Sequence, residues 1–509
     1  MRDFNSAATY RKAFESEWEK YHQMYLTRWV GSRVKTRTKI AIPETFAAIE
    51  SIAPQHLLPL FNRKEPIVTV EHRSPNSYHN ARSVETLLKY QFDKGQVLRK
   101  LIEVYKQVFM LGTGVCHYFW DVKPITRMTP MGPMTLMEGA PNIQPINLFS
   151  FYPARNTTLM SLEDAPFVFI EEVLSPHTLI ERQKAGIFRN IEHLDLNNRE
   201  FGASDPFGIP KRASTEGIQV LTYYTKNEII TIADQRVILR MEPNTYQEIP
   251  FLLGKFVLDP FKLYGIGAIQ PIADMQQELN LRRSQRSDGI DLSQHGMLAL
   301  DPNNLITMKD VKPRPGGIVR YLGDPRGIVP IRYPDVTAAN FQEAATIKMD
   351  IQSGSGATEL VRGMPDSYQG SMTATETQYK AERAGSRFEL SFQLLSQDLI
   401  VELSKRFLRL NQKFGQQFMV PQFSPFAQDP TFVTLHPWDL VGEFDFKLGV
   451  DPQRMHEAAR KEGAINLFQL LVGHPFVNQT TLVLWLLDKF DIPNKEAFLL
   501  LGGQNGQPT

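Results

Sequence analysis

Two glycine-rich turns are the first places where chemistry would be sought. They are "GTGVCH" at residues 112–117 and "YGIGAIQ" at 264–270. Each lacks the third glycine of a dinucleotide fingerprint, and no GxxxxGK[ST] phosphate loop occurs in the chain, so nucleotide binding is not expected. The eleven histidines never form an HExxH pair, and His117 and His436 read as satisfied structural residues rather than ligands. "SGSG" at 353–356 has neither the flanking strand nor the spacing of a nucleophile turn, and reads as a hinge. The carboxylates are scattered, with no pair assignable to acid/base work. The chain is therefore expected to be no enzyme, with no catalytic residue, metal or cofactor.

Composition narrows the function further. A chain of 509 residues is too long for one ordinary core, and 42% hydrophobic with 22% charged residues is ordinary for a folded protein. A formal net charge of +1 argues against gripping a polyanion through bulk charge, so any DNA contact should be loose or confined to a few positions. Cys116 is the only cysteine, which excludes an intrachain disulfide and a thiolate metal cluster and fits folding in a reducing cytoplasm. The start of the sequence is charged throughout and reads as no secretory signal. The longest apolar run, "LVLWLL" at 482–487, is far short of a membrane span, so no membrane partner is expected.

The elements that must position any site follow from periodicity. Tyr10, Phe14, Trp18, Tyr21 and Tyr25 recur at helical spacing over residues 4–29, a stripe that something must cover. "PETFAAIESIAPQHLLPLF" predicts a second helix ending near Pro59, and "PIVTVEHR" alternates like a strand. Helices follow over 81–92 and 98–111, ending at Gly112 and Gly114, which permit a tight reversal into "VCHYFWDV". Residues 124–145, rich in Met, Pro and Gly, predict a hairpin or arm. "INLFSFYPA" and "APFVFIEEVL" predict short strands, and "SPHTLIERQKAG" a helix with Ser175 as N-cap and Pro176 at its first position. Residues 190–215 read as a polar loop, and 218–241 as an antiparallel meander. "TFVTLHPWDL" and "EFDFKLGVD" return to β structure before short C-terminal helices, so the body is α+β.

Between two β portions lies the most informative stretch, 264–414. A helix with Pro271 in its first turn shows one thin apolar line, Ala268, Ile272, Met275 and Leu279, on an otherwise polar surface. Over 265–290 its charges cancel: Asp274, Glu278 and Asp288 against Arg282, Arg283 and Arg286. A narrow stripe on a polar helix predicts packing against a few similar helices. After a Gly/Pro-rich insert at 301–334, a helical pattern resumes at Val336 and breaks at "GSGATELVRGMPDSYQGS". A long helix is then predicted over 373–414, with Phe388, Phe392, Leu395, Leu399, Leu403, Phe407, Leu410 and Phe414 on one face. It would run to about 60 Å, with Gly385 the expected kink. Its 4-4-4 spacings depart from a coiled-coil heptad, and burial partly in its own subunit and partly against neighbours is expected. Helix, insert, helix, loop and long helix suit a subunit of a ring better than an isolated globule.

An ordered set of segments carries a resemblance: "LGTGVCHYFW", "PINLFSFYP", "EIPFLLGKF", "YGIGAIQPIADMQQELN", "PGGIVRY" and "MTATETQYKAERAGSRF". Over residues 25–450 the chain resembles the portal proteins, or head-tail connectors, of tailed double-stranded DNA phages, most of all those with short tails. The resemblance implies an α+β portal-type ring subunit. It implies a wing over 1–262, a stem helix over 263–295, a clip over 296–334 and a second stem helix over 335–353. A channel loop over 354–372, a long wing helix over 373–414, wing strands over 415–451 and a helical crown over 452–509 complete it. A long C-terminal barrel is not expected.

The resemblance further implies a homo-oligomeric ring, typically of twelve, at one vertex of the virion, assembled in the host cytoplasm with major capsid and scaffolding proteins. Double-stranded DNA would cross its channel in packaging and ejection. The terminase packaging motor, and later a tail adaptor or head-completion protein, would dock on the clip. Expected site residues are Ala268, Ile272, Met275 and Leu279 for stem packing. Glu359, Arg362, Met364, Asp366 and Tyr368 are expected in the channel loop, and Arg314, Arg320, Tyr321 and Arg326 in clip docking. A near-neutral composition agrees, because strong phosphate neutralisation would hold DNA that must slide. The alternatives are another virion or assembly-ring protein, which would lack the helix-insert-helix unit, and a nucleic-acid enzyme such as a nuclease or motor subunit.

Overall fold

The computed structural model describes residues 1–32, 37–61, 67–73, 78–129, 132–154, 162–195, 217–294, 298–300, 328–330, 337–357, 388–422, 431–449, 457–472 and 479–490. Helix α1 (Arg2–Tyr25) lays the predicted aromatic stripe on the body. Its cover is Tyr264, whose ring meets Tyr10, Phe14 and Trp18 at centroid separations of 6.0, 5.1 and 4.9 Å. Helix α2 (Glu44–Phe61) continues past the expected stop, with Pro54 and Pro59 inside it. Burial of His56 and Leu60 outweighs the ladder bonds those prolines forgo. Strand β1 (Val68–His72) follows, then α3 (Tyr78–Lys94) and α4 (Val97–Leu111), whose Val97, Leu101, Val104, Tyr105 and Val108 form a fully buried face.

Gly112 ends α4 in the left-handed region, its N–H bonded to the Val108 carbonyl at 2.9 Å. The chain turns into β2 (Thr113–Thr129), which pairs along its length with β3 (Gly132–Ile146), so 124–145 is indeed part of a hairpin. After a short 3-10 turn come β4 (Phe151–Pro153) and β5 (Val168–Leu174), then α5 (Pro176–Lys184), capped by the Ser175 hydroxyl accepting from the Thr178 N–H at 3.1 Å. Strands β6 (Ile218–Tyr224), β7 (Glu228–Ala233) and β8 (Val237–Pro243) form the expected meander and join β4 and β5 in an antiparallel sheet of order β4-β5-β6-β7-β8. Strand β9 (Phe251–Lys255) pairs with the base of β2 instead.

Helix α6 (Ala273–Gln294), entered through a 3-10 turn at Gln270–Ile272, and α7 (Thr337–Ser355) are the two helices of the insert-bearing unit. Between them β10 (Leu298–Leu300) and β11 (Ile328–Pro330) pair antiparallel. The long helix is described over 388–414, so the expected kink at Gly385 lies outside the described residues. Its irregularity is instead a π-helical turn at Gln397–Val401, followed by α-helix at Glu402–Phe414. That turn has a physical reason. Leu395, Leu399, Leu403 and Phe407 are spaced by four, and each such step would rotate an α-helical stripe by about 40°. A wider π turn takes back the drift and keeps all four fully buried.

The stripe of the long helix from Phe388 to Leu410 is buried within this chain, which is the part of the expected burial that falls in its own subunit, while Leu390 on the opposite side stays exposed. Strand β9 backs onto the π turn closely enough that a Cβ on Gly254 would lie 2.7 Å from Leu399 Cδ1. Beyond it, β12 (Phe418–Gln422) pairs with β13 (Thr431–Leu435), and β14 (Phe444–Leu448) returns to pair with β1. Helices at Glu457–Leu471 and Gln479–Lys489 follow.

Candidate functional site

The two glycine turns that might have cradled a phosphate meet each other. A Cβ on Gly112 would lie 2.1 Å from the Gly265 carbonyl oxygen and 2.7 Å from the Gly267 nitrogen. The backbone donors there are consumed internally: Gly265 N–H donates to Thr113 Oγ1 at 2.8 Å, and Ala268 N–H to the Phe109 carbonyl at 2.9 Å. The Gly112 carbonyl accepts from Phe256 N–H at 3.1 Å. Backbone packed this closely leaves no room at the crossing for an anion and instead fixes where the chain enters α6. Among the described residues no group of His, Cys, Asp and Glu could hold a metal ion.

The two singled-out histidines are structural in different ways. His436 opens a 3-10 turn at Pro437–Leu440 in a reciprocal cap with Asp439 and stacks on Trp438. His117 stacks on Phe251 and Phe119, but its Nε2 has no hydrogen-bond partner, so it is not the satisfied residue expected, and burial pushes its pKa down to about 4.

The stem-packing residues are brought together. Ala268, Ile272 and Leu279 are buried and Met275 packs against the same core. They belong to the chain's own main core. Helix α7 meets them at its C-terminal end, where a Cβ on Gly354 would touch Ile272 Cγ2 at 3.0 Å and where Ile347 and Ile351 are buried. The channel-loop residues Glu359, Arg362, Met364, Asp366 and Tyr368 lie outside the described residues, as do Arg314, Arg320, Tyr321 and Arg326 of the insert.

What periodicity did not reveal is the use of the polar face of α6. Gln276, Asn280 and Ser284 are buried, not presented to similar helices. With Asp288 they form a row, four residues apart, that accepts from backbone N–H groups of the connection between α1 and α2 and of the first turn of α2. Thr45 N–H donates to Gln276 Oε1 at 3.2 Å, and Ile42 N–H to Asn280 Oδ1 at 2.8 Å. Ile40 N–H donates to Ser284 Oγ and Thr38 N–H to Asp288 Oδ1, both at 3.0 Å. Gln276 Nε2 also donates to Asn280 Oδ1 at 3.0 Å and to the Ile42 carbonyl at 2.9 Å. The same connection reaches α7, because Lys348 Nζ pairs with the buried Glu44 carboxylate at 2.8 Å. Lys20 of α1 pairs with Asp274 at 3.1 Å. The outward face of the two helices mixes Arg283 and Gln285 with exposed Leu281, Phe341 and Met349.

A second charged cluster ties the long helix to β2 and to the segments that precede β5 and β9. The buried Arg406 guanidinium pairs with Glu163 and Glu248, and Glu248 also accepts from Tyr118 Oη at 2.7 Å and from Arg409 at 3.1 Å. Glu163, Glu248, Arg406 and Arg409 line a cleft of about 470 Å³ with Asp398, whose carboxyl is pushed up to about 6 by burial, against the pull of Lys255 and with help from Glu402. The ion pairs of Arg406 and Arg409 with Glu163 and Glu248 join the long helix to the rest of the body, although the buried Arg406 Nε has no hydrogen-bond partner.

A mixed α/β body carrying a two-helix unit with a paired β insert between the helices is the architecture of a phage portal protein, a structural class. The family model described as the phage SU10 portal protein matches residues 134–471, more than half of the chain, and the chain belongs to that family. A solved structure titled the virion of a native gene transfer agent (GTA) particle contains a chain 11% identical to this one. It covers 92% of this chain and 93% of that chain, with a TM-score of 0.39. No protein with a curated description matches. Among the described residues no helix is long and apolar enough to cross a membrane.

Proposed function

We propose that the chain assembles into a closed ring, of twelve copies, at one capsid vertex of a phage particle. Its α6 and α7 line an axial channel through which double-stranded DNA is packaged and later ejected. The reading rests on one observation: the portal family match spans the whole helix-insert-helix unit and the long helix behind it. The described charges of α6 suit a surface past which DNA slides. Glu278 already faces Arg282 at 3.2 Å, so little net positive charge is left to neutralise phosphates.

In this reading residues 1–262 and 373–451 are the wing, 263–295 and 335–353 the stem, and 452–509 the crown. Residues 296–334 form the clip, where Arg314, Arg320, Tyr321 and Arg326 meet the terminase motor during packaging and a tail adaptor or head-completion protein afterwards. Residues 354–372, with Glu359, Arg362, Met364, Asp366 and Tyr368, form a loop at the channel constriction. Major capsid and scaffolding proteins surround the wing, in the host cytoplasm during assembly and in the virion afterwards. Replacing residues 316–326 by a short linker tests the docking assignment. Rings should still form while motor and adaptor no longer bind, and unimpaired binding of both would reject it.

A further inference from the structure

Along α6 the means of attachment to the body changes at Leu279. Up to that residue the helix and the 3-10 turn that leads into it bury apolar side chains, Ile272, Ala273 and Leu279, with Gln276 the one buried polar side chain among them. From Asn280 to Asp288 the only buried side chains are Asn280 and Ser284, and both are polar. There the helix is held by N–H groups of Ile42, Ile40 and Thr38, one rung for every four helical residues. Four residues of helix rise about 6 Å and two residues of extended chain about 6.6 Å, so successive rungs fall in step. One end of this ladder is pinned. Pro43 offers no N–H, Thr45 Oγ1 donates to the Met24 carbonyl at 2.8 Å, and Glu44 holds Lys348 of α7.

We infer that Asn280, Ser284 and Asp288, bonded to the 38–42 backbone, are positioning residues that fix the angle of α6 to the body and thereby the number of copies in the closed ring. This rests on the ring assembly proposed above. Closure demands a set turn from each copy to the next, and one copy more or fewer in a ring of twelve changes that turn by only about 2–3°. An apolar contact slides with little directional preference, whereas a row of hydrogen bonds in one register is directional and favours one setting of the helix along its whole length. The lever also lies where it is needed, on the distal half of the helix, which packs beside α7 but buries no apolar side chain from Asn280 to Asp288.

The test is native mass measurement of rings from the full-length chain and from three variants. Asn280→Leu combined with Ser284→Ala removes two acceptors. Ile40→Pro removes one donor without touching α6. Asn280→Asp keeps an oxygen for both N–H groups that Asn280 accepts. Wild type and Asn280→Asp are expected to give one copy number. The double variant and Ile40→Pro, with melting temperatures close to wild type, are expected to shift to a mixture of neighbouring copy numbers. The wild-type copy number, unmixed, in Ile40→Pro and in whatever double variant folds would overturn the inference. Absence of rings from wild type would instead overturn the proposed assembly, and this inference with it.

Discussion

The Gly265 carbonyl oxygen occupies the place that a side chain on Gly112 would need, 2.1 Å from the position of its Cβ. The same contact is tight in reverse, since a Cβ on Gly265 would lie 2.6 Å from the Gly112 oxygen. Both obstacles are backbone atoms, which cannot rotate away, and Gly112 has φ of 88°. Gly112→Ala is therefore expected to cost about 2–4 kcal/mol through overpacking and left-handed strain together. Chemical denaturation measures it, and a loss below about 0.5 kcal/mol would contradict the crossing.

The apolar line of α6 and the stripe of the long helix should respond as subunit core. Ile272→Ala, at a position with no exposed surface, is expected to cost about 2–4 kcal/mol of subunit stability, a larger effect than loosened assembly alone would give. Leu399→Glu should prevent folding, because it puts an unpaired carboxylate between β9 and the π turn. Soluble, folded Leu399→Glu protein would show that the long helix is not packed as described.

Stability should fall with acid in a defined window. His56 has no exposed surface, its Nδ1 faces the Ile52 carbonyl and its Nε2 the Ser391 hydroxyl, and burial pushes its pKa down to about 4. A folded-state pKa below the ordinary 6.5 means that stability is full above pH 6.5 and is lost as pH falls toward 4, up to about 3 kcal/mol. Asp398 acts oppositely over part of that range. Its raised pKa, about 6, favours the fold at low pH and that contribution fades as pH rises through 6. His56→Gln should flatten the acid limb of a stability-against-pH curve, and Asp398→Asn should raise stability at pH 7. Unchanged curves in both would refute the burial argument.

Deleting residues 361–369 should leave ring formation intact yet give heads that lose DNA or fail to complete packaging. The segment holds Arg362 against Asp366, a composition suited to touching a polyanion without gripping it. Normal yields of full, infectious particles would show that this loop is not the channel constriction.

Periodicity carried the local architecture well. The α1 stripe, the hairpin from β2 to β3, the β6-β7-β8 meander, the Ser175 cap and the face of the long helix all follow from spacing and cap chemistry, which act over a few residues. The joins between distant segments did not show. Nothing in "VTVEH" indicates that it pairs with "FDFKL" near the other end of the chain, because an alternating strand fits many partners. The polar row Gln276, Asn280, Ser284 read only as part of a polar helix surface that packs against similar helices, since its partners are backbone N–H groups, which every residue but proline has and which leave no mark in the sequence. The glycines at 112, 265 and 267 were visible as turns, but not as one crossing. A signal was available in the four-residue spacing of those small polar side chains, the same spacing that would have flagged an apolar stripe.

The central claim is a ring around a channel, and images of the purified full-length protein test it most directly. Closed rings are expected, with an axial hole wide enough for a DNA duplex and with α6 and α7 on its wall. A stable, compact monomer of 58.1 kDa at micromolar concentration, or rings whose axial wall is built from other elements, would contradict it.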